Sequence, residues 1–147
     1  MSDTSVLTYR GTVYPWHCDH MGHMNVMWYV GKFDEAIWNL FTRFGLAPAW
    51  LRTHGRGMAA VEQRIHYRRE LLAGDVVSVH SAVTELRDKV VLLRQTMFND
   101  AAGEIAATMD LVAVHLDTGA RRAVPFPPEI AAAIRAARDP LPAGAHA

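Results

Sequence analysis

NVMWYVGKFDEAIWNLFTRFG, residues Asn25 to Gly45, is the stretch that decides the fold. Val26, Val30, Phe33, Ile37, Leu40, Phe41 and Phe44 recur at steps of three or four, the apolar stripe of an α-helix. Gly45 supplies a C-terminal stop, and Pro48 does not readily continue the helix. Met27 and Trp28 lie off the stripe, as does Met24 just ahead of it, while Tyr29, Ala36 and Trp38 add further nonpolar surface. A helix this apolar around its girth is enclosed on several sides rather than laid on one surface.

Outward from the helix the pattern turns β-like. Upstream, Thr8 to Tyr14 (TYRGTVY) alternates and reads as a short strand, and Pro15 then ends regular pairing. Downstream, Met58 to Arg69, Asp75 to Leu86, Val90 to Phe98 and Glu104 to Leu116 are long β-prone runs. Turn signals follow them at Ala73-Gly74-Asp75, Arg87-Asp88-Lys89, Asn99 to Gly103 and Asp117-Thr118-Gly119. The last three connectors are short, which favours antiparallel neighbours, and strands this long suit a strongly curved sheet. After Pro125, Pro127 and Pro128, Glu129 to Arg138 reads as a short Ala-rich helix, and residues 139–147 as a frayed tail. With no internal repeat and no linker, residues 1–147 are read as a single α+β domain: strand, long helix, four antiparallel strands, short C-terminal helix. One sheet covers only one face of such a helix, so the unused apolar surface points to a second subunit.

Composition narrows the function. Lys plus Arg equal Asp plus Glu at 15 each, so there is no general attraction to nucleic acid or to an acidic membrane. The start, MSDTSVLTYR, has no apolar core of a signal peptide, and no stretch approaches the roughly 20 apolar residues of a membrane span. Cys18 is the only cysteine, which fits a reducing compartment. The expectation is a cytoplasmic protein with neither a nucleic-acid nor a membrane partner.

The chemistry concentrates just ahead of the helix, in WHCDHMGHMN, Trp16 to Asn25. His17, His20 and His23 with Cys18 and Asp19 are competent metal ligands. Pro15 and Gly22 make the segment an irregular loop, however, and no zinc-finger or His-Glu-x-x-His spacing is present, so neither a metal nor a cofactor is expected. Cys18 as a nucleophile needs an oriented imidazole, and the simpler reading is a small buried hydrophobe. Asp19 is the better candidate. It precedes a glycine turn that leads into the helix N-terminus, where first-turn amides lack acceptors and favour negative charge. A carbonyl there would develop its oxyanion against backbone N–H groups, within reach of the carboxylate. Gly22 lets the backbone approach the substrate, while His23 and Asn25 cap the helix or hold the loop. Asp is equally common as a plain turn residue, and the residues alone leave both readings open.

The stretch DHMGHMNVMWY, Asp19 to Tyr29, resembles the signature of 4-hydroxybenzoyl-CoA thioesterase-like proteins of the hotdog superfamily, as does its continuation Phe33-Asp34-Glu35-Ala36. LLAGDVVSV, Leu71 to Val79, and the segment from Asp117 to Ile130 are similar to later parts of that pattern. The resemblance implies a hotdog fold, a long central helix wrapped by a curved antiparallel sheet of about five strands, in a homodimer or homotetramer with sites at the subunit interface. It implies hydrolysis of an acyl-CoA thioester, with Asp19 as nucleophile or general base and a backbone amide near Asn25 or Val26 as oxyanion donor. It points to Arg87 and Lys89 for the CoA phosphates, with Arg68 and Arg69 as second choices. Trp16, Met24, Met27, Trp28 and Met58 are the expected lining of the acyl pocket. The chain departs from the pattern at His17, where members often carry another aspartate, and at Val26, where many carry Asn. Two rival functions accompany this one: a hotdog hydratase or dehydratase using His23 and Glu35, and a non-catalytic acyl-thioester binder.

Overall fold

The computed structural model describes residues 4–138; the expected frayed tail at 139–147 lies outside them. The chain runs β1 (Val6–Thr12), a 3-10 turn (Pro15–His17), α1 (Val26–Arg43), α2 (Pro48–His54), β2 (Arg56–Tyr67), β3 (Val76–Leu86), β4 (Val90–Asn99), β5 (Glu104–Asp117), β6 (Arg122–Ala123) and α3 (Pro128–Arg138). The sheet is antiparallel in the order β1-β3-β4-β5-β2, and β6 pairs with the end of β5. This is the expected α+β hotdog arrangement, one long helix wrapped by a curved sheet.

Alternation along the strands explains the packing. Val77, Val79 and Val83 of β3, Val91, Leu93 and Met97 of β4, and Ala107, Met109, Leu111 and Ala113 of β5 all point inward and are buried. Against them α1 presents Tyr29, Phe33, Ala36, Ile37, Leu40 and Phe41. Beneath the helix the core carries one polar layer. Thr8 Oγ1 and Ser81 Oγ lie 2.8 Å apart, and Gln95 Nε2 donates to Ser81 Oγ (3.0 Å) and to the Phe33 carbonyl (3.3 Å). The opposite sheet face is polar enough to hold a two-pronged Arg94–Asp110 ion pair (2.8 and 2.9 Å).

The structure corrects the helix stripe at its start. Val26 and Val30 are exposed, while Tyr29 and Lys32 take the buried positions. The first turns of α1 lean on the β1 side and on the segment after β2. Tyr29 donates to the Arg69 carbonyl (3.1 Å), and Lys32 Nζ donates to Tyr9 Oη (3.0 Å) and the Thr12 carbonyl (3.4 Å). Pro48 both follows one helix and opens the next, since a first-turn proline has no amide to lose. No described helix is long and apolar enough to cross a membrane.

Phe33, fully buried at the centre of the helix–sheet contact, gives a direct test. Phe33→Ala is expected to cost roughly 3–5 kcal/mol, read as a lower urea midpoint with an unchanged slope.

Candidate active site

The loop ahead of α1 is a small hairpin. Cys18 and Met24 form an isolated antiparallel bridge, the Asp19 amide donates to the His23 carbonyl (3.1 Å), and the Gly22 amide donates to the Asp19 carbonyl (3.0 Å). Gly22 sits at φ 87°, a left-handed conformation that side chains resist, so glycine is required here. Two further bonds anchor the hairpin. Met24 N–H donates to the Leu71 carbonyl (2.7 Å) and Asn25 N–H to the His17 carbonyl (2.9 Å).

Asp19 is tied at both oxygens. Oδ1 accepts from the Met21 amide (2.8 Å), closing an Asx-turn, and Oδ2 accepts from Asn25 Nδ2 (2.8 Å). Asn25 is the N-cap of α1, and its Oδ1 accepts from the Met27 amide (2.9 Å). The carboxylate is therefore held to the helix start through one side chain. The Asn25 bond first, and the Met21 bond second, hold the Asp19 carboxyl below its usual 3.8, so it is ionised at neutral pH.

The amides at this helix end can be accounted for one by one. Asn25 N–H is spent on His17, Met27 N–H on the Asn25 side chain, and Trp28 N–H on the Asn25 carbonyl (3.0 Å). Among the described residues only the Val26 amide of this group has no acceptor. It opens beside a hollow of about 250 Å³ lined by His23, Val26, Tyr29, Tyr67, Arg68 and Arg69. Burial raises the Tyr29 hydroxyl to about 12, so it stays protonated on the Arg69 carbonyl. His23 Nε2 lies 3.8 Å from Glu70 Oε1.

The other expected residues scatter. Trp28 faces a different cavity, of about 500 Å³, shared with Tyr14, Trp16, His17, Lys32 and Glu35. His23 and Glu35 thus belong to separate cavities, and the acid–base pair of a hydratase is not assembled within the chain. Met58 lies partly buried on β2 against the core, Met24 is buried, and Met27 is exposed. Arg87 and Lys89 are exposed in the β3–β4 turn, where Arg87 pairs with Glu85. They sit at the far end of the sheet from the helix start. The turn is level with His115 of β5, and Arg68 and Arg69 with Ala106. Nine residues of strand separate those levels, roughly 30 Å. Within one chain it is the second-choice pair, Arg68 and Arg69, that lies beside the open amide.

Three residues near the site escaped the sequence reading as functional groups: Tyr67, Glu70 and Lys32. Lys32 alone left a trace, a lone cation amid apolar residues of a long helix. His17 is buried, and burial first, then the Lys32 ammonium, lowers its pKa against an opposing pull from Glu35. Its Nδ1 accepts from the Tyr14 amide (3.0 Å), so the neutral ring carries its hydrogen on Nε2. No three His, Cys, Asp or Glu side chains converge as a metal-binding group among the described residues.

Residues 13–134 match the model of the thioesterase-like superfamily. The chain is 31% identical over 116 residues to the L-carnitine dehydrogenase/betainyl-CoA thioesterase of Agrobacterium fabrum, covering 79% of this chain and 24% of that protein. It therefore spans about a quarter of that relative's length. It is 24% identical over 119 residues to the long-chain acyl-CoA thioesterase FadM of Escherichia coli, covering 78% and 86% of the two chains. A Staphylococcus aureus protein solved in complex with CoA superposes with a TM-score of 0.86 at 21% identity, covering 94% of this chain and 89% of that one. The fold, the hairpin ahead of the central helix and the family match converge: this chain is a member of the thioesterase-like superfamily.

Proposed function

We propose that this chain hydrolyses acyl-CoA thioesters at the start of α1. The observation that carries the reading is the open Val26 amide, one residue beyond an asparagine that fixes an ionised Asp19. The thioester oxygen accepts from Val26 N–H, which stabilises the negative charge that develops there. The Asp19 carboxylate acts on the carbonyl carbon in one of two ways. As nucleophile it displaces CoA thiolate to give a mixed anhydride, which water then cleaves to two acids. As base it takes a proton from the water that attacks. The thiolate leaves readily, so no strong acid is required. The names of the two curated relatives support the substrate class.

We assign the working form as a homodimer built on β2. This strand pairs on one side with β5, and none of its 12 residues is fully buried. Val61 and Tyr67 are exposed along it, and Val26, Met27 and Val30 are exposed on the neighbouring helix start. An unpaired edge beside apolar surface is unstable alone in water. Two-fold antiparallel pairing of two such edges brings the Arg56 end of one copy to the Tyr67 end of the other. The Arg87–Lys89 turn of one copy then approaches the helix start of its partner, where it joins Arg68 and Arg69 in holding the CoA phosphates.

Four outcomes test these assignments. Asp19→Asn should lower kcat by roughly 10²–10⁴-fold with an unchanged circular-dichroism spectrum; near-normal thiol release would remove Asp19 from the reaction. Label found in Asp19 after single-turnover hydrolysis in labelled water identifies the nucleophilic role, since only an anhydride opened at the Asp19 carbonyl leaves it there. Asn25→Ala removes the main cause of the low Asp19 pKa. The ionised form exists above that pKa, so the acid limb of wild-type activity is expected below the usual carboxylate range. In the variant the acid limb should move to higher pH, and carboxyl NMR titration of Asp19 should report the same shift. For the dimer, Val61→Arg should give monomer mass by light scattering together with lost turnover.

A further inference from the structure

The cavity beside Trp28 contains a charge that the hydrolytic reaction does not use. Lys32 is 3% exposed, yet among the described residues its ammonium bonds only to two neutral oxygens, Tyr9 Oη and the Thr12 carbonyl, and lies 5.3 Å from the Tyr9 ring centroid. No carboxylate lies within ion-pair distance of it among the described residues. An ammonium has three donors, so one remains unspent. A buried charge without a counter-charge is costly and is retained where a ligand supplies the partner.

The surroundings are built around that position. Tyr9 lies across Gly11, where a Cβ would collide with the tyrosine hydroxyl, so glycine at 11 is what lets that hydroxyl reach Lys32. Tyr14 and Trp16 stack with centroids 4.6 Å apart, and His17 lies 4.3 Å from Trp28. His17 carries its free N–H on Nε2 and lines the same cavity. The walls are therefore aromatic, and two nitrogen donors serve the interior. Glu35 is the cavity's one carboxylate, and it is exposed. The cavity lies next to the start of α1: the His17 carbonyl, on its lining, holds the Asn25 amide, and Trp28 belongs to the first turn of the helix.

We propose that the acyl group taken by this chain ends in a carboxylate, which enters the aromatic-walled cavity and pairs with the Lys32 ammonium. The substrate is then the mono-CoA thioester of a short dicarboxylic acid. Val26 and Lys32 are six residues apart, roughly 9 Å along the helix axis, which suits an acid of about four to six carbons. Four aromatic rings would also suit a quaternary ammonium, the group in the name of the Agrobacterium relative, but the buried ammonium already in this cavity repels a second cation.

This inference rests on the hydrolytic reading above, and the test separates the two. Wild-type protein is assayed with glutaryl-CoA, valeryl-CoA and 4-trimethylammoniobutyryl-CoA. Glutaryl-CoA is expected to have the highest kcat/KM, by roughly ten- to a hundredfold, with the gain in KM. Lys32→Met should bring glutaryl-CoA and valeryl-CoA to near parity, and Glu35→Gln, on the exposed rim, should widen their ratio. Equal or better turnover of valeryl-CoA, or a preference for the cationic thioester, overturns the proposal while leaving thioester hydrolysis intact. If no thioester releases thiol, the hydrolytic reading fails, and calorimetric binding still decides the cavity. Tighter binding of glutaryl-CoA than of valeryl-CoA supports it, and equal binding overturns it. Should Lys32→Met not fold, Glu35→Gln decides alone, and an unmoved or narrowed ratio counts against the proposal.

Discussion

One side-chain amide organises the start of the central helix. Asn25 donates to Asp19 with its nitrogen and accepts from the Met27 amide with its oxygen, each bond below 3 Å. An amide offers a donor and an acceptor on separate atoms of one rigid plane, whereas an ionised aspartate has no donor and a serine hydroxyl carries both functions on a single atom. Aspartate there would cap the helix but repel Asp19, and serine would cap it without the reach. The same residue spends its own N–H on His17 and its carbonyl on Trp28, so the Val26 amide is left as the open donor. Carboxylate position, helix start and open amide are thus consequences of one residue's bonding capacity.

That local arrangement needs a rigid support. The helix is held along its length by buried Phe33, Ile37, Leu40 and Phe41, and the polar layer of Thr8, Ser81 and Gln95 fixes its rotation by binding the Phe33 carbonyl. The hairpin is joined to the segment after β2 through Leu71, and the helix to the same segment through Tyr29 and Arg69. The last turn of the sheet strands and the first turn of the helix therefore move together. A site on this junction is positioned by two elements rather than by a loop alone.

Much of this was legible in the residues because the signals were periodic. The strand readings fell within about two residues of the observed β2 to β5, since inward Val, Leu and Met alternate cleanly with outward Arg, Thr and Asp. The helix from Val26 was equally clear. What the stripe misses is the rotation of the first turns: it puts Val26 and Val30 inward and leaves Lys32 out, although Lys32 is buried and the two valines are exposed. A stripe rule treats lysine as solvated. Here it is buried because Tyr9 and Thr12, some 20 residues upstream, provide oxygens that only the folded sheet brings near. The helix α2 escaped because seven residues are too few for a period, though Pro48 at its first position and Gly55 at its end, φ 62°, are ordinary start and stop residues. At the site, the roles foreseen for Asp19 and Asn25 depend on local spacing. Arg87 and Lys89, foreseen for the CoA phosphates, lie roughly 30 Å along the sheet from the helix start, a distance their local spacing does not reveal.

The two ends of the first turns of α1 then have opposite duties. At Val26 the backbone offers a partial positive charge that costs nothing to maintain, because a helix N-terminus always has spare amides. At Lys32, less than two turns on, the chain maintains a full positive charge in a nearly dry setting, which has to be offset by specific neighbours. An unspecialised lipid-like acyl chain would be better served by a leucine at that position. Under the substrate proposed above, the buried ammonium, with Tyr9 and Gly11 arranged to reach it, makes the cavity a reader of polarity rather than a measure of chain length. Under the same proposal the reacting carbonyl is recognised by backbone, which any acyl group satisfies, and the remote end by side chains, which only some do.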